Sequence, residues 1–310
     1  MRVLFWGTPD FALPPLRALL GEGFDVVGVV TQPDKAVGRN RATLQAPPVK
    51  EVALAEGIPV LQPEKPRGET FMEEVRALAP DVSVVVAYGH ILPKAVIDLP
   101  PHGTLNIHGS LLPHLRGAAP IQAAIREGLT ETGVTIMRMV PALDAGPMLH
   151  VLRTPILPDE TYGELALRLS ELGALALIEA LALLELGKLS EEAQDDALAT
   201  YAHKVERETA RVDWARPAAE VCRVIRAYDP KPSAWTTRAG ADMKLFGATP
   251  APATRSDVPG EVLAIDEDGV TVACGEGAVQ IALVQPAGKK RLRPIELARG
   301  RGLAVGDLLA

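Results

Sequence analysis

MRVLFWGTPDFALPPLRALLGEGFDVVGVV, residues 1–30, reads as strand, turn, helix, strand. Val3–Trp6 and Val26–Val30 are short and apolar, and Gly, Asp or Pro flanks each. Residues 11–21 between them have the spacing of a helix that buries one face. A buried apolar strand, a helix and a second such strand form the unit of a parallel sheet covered on both sides, with right-handed crossovers. The pattern repeats outward. Val82–Ala87 and Leu105–Ile107 read as further strands, and 47–56, 69–79 and 119–128 as helices. Val134–Met139 is expected as one more parallel neighbour, and Tyr162–Leu186 as a long helix started by Pro-Asp-Glu-Thr. The predicted class is α/β, a doubly wound, mostly parallel sheet.

The pattern changes after Ser190. A polar stretch, Glu191–Thr200, leads to a helical segment near Pro217–Arg226 and to the turn-rich YDPKPSAW at 228–235. Met243–Phe246, Gly260–Ile265, Val270–Ala273 and Val279–Val284 then read as short strands between Gly, Asp and Pro clusters, a spacing that suits a small β-barrel. The expected organisation is a first domain over 1–190, a linker over 191–205 and a barrel over 206–310.

At 310 residues and 47% hydrophobic, the chain can bury two sizeable cores. No apolar run approaches the roughly 18 residues of a membrane span, and the start lacks the features of a secretory leader. Cys222 and Cys274 each stand alone, so a reducing cytoplasm is expected. The net charge of −7 argues against a protein that coats nucleic acid indiscriminately. Residues 1–200 carry 16 basic against 25 acidic side chains, whereas 201–310 carry 16 against 14. Lys289, Lys290, Arg291, Arg293, Arg299 and Arg301 surround Glu296 alone, either a solvated face or a patch for a polyanion.

The first strand–helix turn, Gly7-Thr8-Pro9-Asp10, has proline where a dinucleotide fingerprint needs its second glycine. A nicotinamide cofactor is therefore not expected. The chemistry points instead to GTLNIHGSLLPHLRG, residues 103–117. Residues two apart in a strand share a face, so Asn106 and His108 project together at the carboxyl end of a strand, where open α/β sheets build their sites. An amide beside an imidazole can hold and protonate an oxyanion. Either could equally be structural, Asn106 as a turn cap and His108 as a satisfied core residue. Asp144, in the Pro- and Gly-punctuated VPALDAGP loop, is placed to fix the tautomer of that imidazole; the alternative is a local Asx-turn before Gly146. Ser110 lacks the elbow of a serine nucleophile, which favours direct transfer. His102, His108 and His114 lie six apart, a spacing unlike that of metal ligands, and no metal is expected.

Asn106 through Gly117, N-x-H-x-S-L-L-P-x-x-R-G, resembles the folate-dependent formyltransferases over nearly the whole chain. Supporting segments are FWGTPDFA, VVTQPDKAVGRN, PPVK, VVAYGHILP, LDAGPML and PAGKKRLRP, and the loop after TQPD and the GKKR segment favour the branch acting on tRNA. The resemblance implies a Rossmann-like catalytic domain and an oligonucleotide-binding-type (OB-like) barrel that contacts tRNA. It implies 10-formyltetrahydrofolate as donor and the amine of methionine on initiator tRNA as acceptor. Asn106, His108 and Asp144 match the catalytic trio. Ser110, Leu111, Leu112 and Pro113 match the folate-binding stretch. Tyr88, Gly89, His90, Ile91 and Leu92 would line the pocket, partly through backbone groups. Lys35, Arg39 and Arg41 on one loop, with Lys289, Lys290 and Arg291, would reach tRNA. Lys231 departs from the bulky aromatic usual at its position. Other readings to be separated are an amino-sugar or purine-precursor acceptor, a formyl-folate hydrolase and a tRNA-binding module without activity.

Overall fold

The computed structural model describes residues 1–37, 43–251 and 258–310. The chain forms two compact units, one of Met1–Gly117, Thr132–Thr154 and Ala166–Tyr201, the other of Ala118–Glu131, Pro155–Leu165 and Ala202–Ala310. Residues 191–201, expected as part of a linker, thus group with the first unit. Their polar groups are engaged there: Glu191 pairs with Arg138 at 2.6 Å, and Glu192 exchanges backbone hydrogen bonds with Met148.

Seven strands build the sheet of the first unit: β1 (Arg2–Gly7), β2 (Asp25–Val30), β3 (Val60–Leu61), β4 (Val82–Val86), β5 (Thr104–His108), β6 (Glu131–Arg138) and β7 (Met148–Pro155). Their order is β7-β6-β5-β4-β1-β2-β3. The chain first winds from β1 through β2 to β3, then crosses to β4 and β5 on the other side. The pairs β1–β2, β2–β3, β1–β4 and β4–β5 are all parallel. The helices are α1 (Leu13–Gly21), α2 (Pro48–Ala55), α3 (Glu69–Ala77), the short α4 (Lys94–Ile97), α5 (Pro120–Glu127) and the 24-residue α6 (Tyr162–Glu185). Proline occupies the first turn of α1, α2 and α5, where its missing N–H costs nothing and its fixed φ suits the helix. One face of the sheet buries Leu4, Trp6, Val30 and Val85 with Phe71, Met72 and Val75 of α3 and Val96 and Ile97 of α4.

The strand expected as a parallel neighbour, β6, runs antiparallel to β5, with Leu105 opposite Arg138 and His108 opposite Thr135. A parallel strand would need α5 as its crossover. Instead α5 groups with the second unit. The antiparallel pairing means that the chain re-enters the sheet from the end at which it left.

In the second unit, α7 (Ala218–Ala227) and α8 (Pro294–Arg299) accompany an antiparallel sheet. Its strands are β8 (Ala234–Arg238), β9 (Ala241–Ala251), β10 (Val262–Ile265), β11 (Val270–Ala273) and β12 (Ala278–Pro286), ordered β8-β9-β12-β11-β10. Leu309 bridges to Arg238 at one edge and Leu308 to Glu261 at the other, so the C-terminal residues close the sheet into the expected small barrel. Its core holds Trp214, Val221, Ile225, Leu245, Val272 and Ile281, together with Cys222 and Cys274. Burial pushes these two free thiols up to about 11 and about 12. Among the described residues no helix is long and apolar enough to cross a membrane.

Candidate active site

The strand order reverses between β1 and β4, and the loops leaving the carboxyl ends of β1, β2 and β4 meet there. The Tyr88 carbonyl is their common point. It accepts from Thr8 Oγ1 at 3.1 Å and from Gln32 Nε2 at 3.0 Å. Gln62 Nε2 in turn donates to Gln32 O and to Asp34 at 2.9 and 2.8 Å, and Lys50 pairs with Asp34 at 2.8 Å. The Gln62 amide, with the Lys50 ammonium, holds the Asp34 carboxyl below its usual value of 3.8. The TQPD and PPVK segments are thereby two halves of one polar clamp.

Tyr88 itself is core: its ring meets Trp6 edge-on at 5.3 Å, and burial pushes its phenol up to about 12. Leu92 is buried as well, so within Tyr88–Leu92 the exposed members are Gly89, His90 and Ile91, the last 87% exposed. Gly89 has φ +89°, and a Cβ there would lie 2.4 Å from Gln32 Nε2, so the clamp requires glycine at this point.

β5 carries Asn106 and His108 on one face, as the period of a strand demands. Asn106 is half-buried, and among the described residues its carboxamide takes no hydrogen bond. His108 is buried, with Nε2 3.0 Å from the Leu115 carbonyl and Nδ1 3.7 Å from Asp144 Oδ2. The Leu115 carbonyl accepts only from an Nε2–H, so it sets the tautomer that sequence reasoning had given Asp144 to fix. At 3.7 Å, Asp144 faces Nδ1 without a direct hydrogen bond.

The Asp144 carboxylate accepts instead from the Gly117 N–H at 2.8 Å, 27 positions away in the chain. This long-range bond displaces the local Asx-turn as the account of Asp144. Asp144 adopts φ +46°, and at Gly146 a Cβ would stand 1.8 Å from the Arg138 carbonyl oxygen. Because β6 delivers this loop from the opposite end of the sheet, the chain must double back tightly to bring the carboxylate to His108. The positive φ of Asp144 and the close approach of Gly146 to the Arg138 carbonyl are where it does so.

The segment matched to folate binding divides by burial. Ser110 is interior, its hydroxyl donating to His114 O at 2.6 Å and its carbonyl accepting from Thr135 Oγ1 at 2.7 Å. Leu112 is buried and bonds through its N–H to Thr135 Oγ1 at 3.2 Å, and the Leu112–Pro113 peptide is cis. Leu111 and Pro113 are partly exposed. Among the described residues no cluster of three His, Cys, Asp or Glu could hold a metal ion. His102 and His114 are exposed.

Of the expected tRNA residues, Arg39 and Arg41 lie outside the described residues. Lys35, Lys289, Lys290 and Arg291 are exposed, and Arg291 stacks 3.4 Å above the centre of the Phe246 ring. Lys231 is exposed too, and Lys244 Nζ donates to the neighbouring Pro232 carbonyl at 3.2 Å.

The doubly wound sheet thus brings an amide, an imidazole and a carboxylate together at one strand. Comparisons with known proteins give the family. The profile of the formyl transferase family matches residues 1–181 and that of the formyl transferase C-terminal domain matches residues 204–302; the chain belongs to this family. A methionyl-tRNA formyltransferase of Geobacillus thermodenitrificans is 49% identical over 310 residues, covering 99% of this chain and 97% of that one. That of Pseudomonas fluorescens is 48% identical over 311 residues, covering 100% and 97%. Among solved structures, HypX from Aquifex aeolicus in complex with tetrahydrofolic acid has the same fold. It gives a TM-score of 0.68 at 22% identity over 96% of this chain and 46% of HypX.

Proposed function

We propose that the chain transfers the formyl group of 10-formyltetrahydrofolate to the amino group of methionyl initiator tRNA, as a monomer in the cytoplasm. The observation that carries this reading is the meeting of His108 and Asp144, 3.7 Å apart, on the face of β5 that also bears Asn106. The relatives named methionyl-tRNA formyltransferase, matched end to end, support the choice of acceptor.

An α-amino group titrates at about 7.7–8.0, so a usable fraction is neutral near pH 7 and attacks the formyl carbon without a strong base. The new C–N bond pushes the carbonyl electron pair onto oxygen, and the Asn106 carboxamide and the His108 imidazole, carrying a second proton on Nδ1, stabilise that oxyanion. Asp144 orients His108 and takes up the proton released by the amine. Collapse of the intermediate breaks the bond to N10 of the folate, which leaves as tetrahydrofolate once N10 receives a proton. The exposed Gly89–Ile91 segment and the partly exposed Leu111 and Pro113 line the folate site, while buried Tyr88, Leu92, Ser110 and Leu112 support it from behind. The first unit, extended to Tyr201, is the catalytic part. The barrel, with Lys289, Lys290 and Arg291, and the loop bearing Lys35, Arg39 and Arg41 contact tRNA.

A transfer assay with labelled formyl donor tests the proposal. Label should pass to charged initiator tRNA, not to an amino-sugar nucleotide or to water. Formate release without any acceptor, or transfer to the sugar alone, would overturn it.

A further inference from the structure

Gln194 lies in the polar stretch after α6, and its carboxamide joins the loop that carries Asp144 to Arg116. Its Nε2 donates to the Asp144 carbonyl at 2.8 Å and to the Gly146 carbonyl at 2.7 Å. Its Oε1 accepts from Arg116 Nε at 3.0 Å and from Arg116 Nη2 at 2.8 Å. A flipped amide would set oxygen against two carbonyl oxygens and NH2 against a guanidinium, so the neighbours fix the orientation. Arg116 is 3% exposed, and its charge is balanced by Asp196 at 2.7 Å.

The arrangement converges on one short segment. Leu115 gives its carbonyl to His108, Gly117 gives its N–H to Asp144, and Arg116 between them braces the amide that grips the Asp144 loop. Asp144 itself sits at φ +46°, a conformation that persists for a non-glycine residue when its surroundings over-determine it. Gln194, 50 positions away from Asp144, ties down the Asp144 and Gly146 carbonyls from outside the loop.

We infer that Gln194, braced by Arg116, is a positioning residue that sets the Asp144 carboxylate against His108. The inference rests on the catalytic reading of Asp144 above. On the loop that carries Asp144, Gln194 bonds only to backbone carbonyls, so its effect falls on kcat and not on substrate affinity.

Formyl transfer to charged initiator tRNA, followed at steady state with labelled donor, tests this. Gln194→Ala should lower kcat roughly 10- to 100-fold and leave KM for both substrates within about threefold, the pattern of a group that matters in the transition state. Gln194→Glu, isosteric but unable to donate to two carbonyls, should be at least as impaired. In an Asp144→Ala background, Gln194→Ala should cause no further loss, because the group it positions is gone. An equal loss in both backgrounds, or a change confined to KM, would overturn the inference. Full activity of Asp144→Ala alone would instead overturn the catalytic reading on which it rests.

Discussion

At the scale of single residues, the site depends on which hydrogen-bonding groups are already committed. His108 Nε2 is held by the Leu115 carbonyl, whereas the Asn106 carboxamide is engaged by no described partner and faces the same side of β5. On the proposed mechanism the Asn106 carboxamide is one donor to the oxyanion and a proton on Nδ1 of His108 supplies the other. Removing one such donor typically costs about 2.7–4 kcal/mol of transition-state stabilisation. Asn106→Ala and His108→Ala should therefore each lower kcat by roughly 10² to 10³ while folate binding, read by fluorescence titration, stays within a fewfold. Either variant at full rate would remove that residue from the chemistry. Sequence alone singled out Asn106, His108 and Asp144 as candidates because strand period and loop punctuation are local signals. It missed Gln194, Arg116, Thr8 and Gln32, whose partners lie between 24 and 80 positions away and leave no periodic trace. It also counted Tyr88, Leu92, Ser110 and Leu112 as pocket residues by their place in a motif; burial, which a motif does not encode, turns their side chains inward.

At the scale of elements, alternation of short apolar strands with helices was enough to predict the parallel core, since each crossover stays within a few dozen residues. The direction of β6 was not legible. An apolar run of that length reads alike in either direction, and only the pairing shows it to be antiparallel. The consequence falls on the loop that follows: to return Asp144 to the carboxyl end of β5 it must pass Gly146 against the Arg138 carbonyl. Gly146→Ala places a methyl 1.8 Å from that oxygen, a backbone atom that a rotamer change cannot move aside. Overpacking of this kind costs about 1–3 kcal/mol. The variant should melt several degrees lower and lose activity beyond what stability explains, by displacing Asp144; unchanged melting and rate would contradict the tight return. The clamp between the loops after β2 and β3 is a second element-scale device. Because Gln62 and Lys50 hold the Asp34 carboxyl below 3.8, its contribution to stability is complete above that value. It is lost as the pH falls from there through the lower, folded value. Lys50→Met should accordingly melt lower at pH 7 and show a shallower decline between about pH 5 and 3 than the parent chain; parallel declines would mean the pair contributes nothing.

At the scale of the whole molecule, the charge is divided. Residues 1–200 carry an excess of acid, so a polyanion is repelled by much of the surface and its contacts must be concentrated where cations escape neutralisation. Within the basic run at the end of the barrel, Arg293 and Arg299 both lean on Glu267, at 3.6 and 3.0 Å. Arg291 is occupied by the Phe246 ring. Lys289 and Lys290 are exposed on the same run with no acidic partner among the described residues. Composition showed the run; the partition between neutralised and available cations needed coordinates. Phosphates that displace counterions at a few such lysines give an affinity that falls with salt by a slope of about 0.7–0.9 per contact. For the parent chain, a plot of log affinity for initiator tRNA against log salt should slope downward by several units. Lys289→Ala with Lys290→Ala should reduce that slope by about one to two and weaken binding most at low salt, and Arg39→Ala should lower affinity as well. The rate of formyl transfer at saturating tRNA should stay close to the parent value, since none of these side chains belongs to the site on β5. Affinity indifferent to salt, or a double variant with the parental slope, would take these cations out of tRNA recognition.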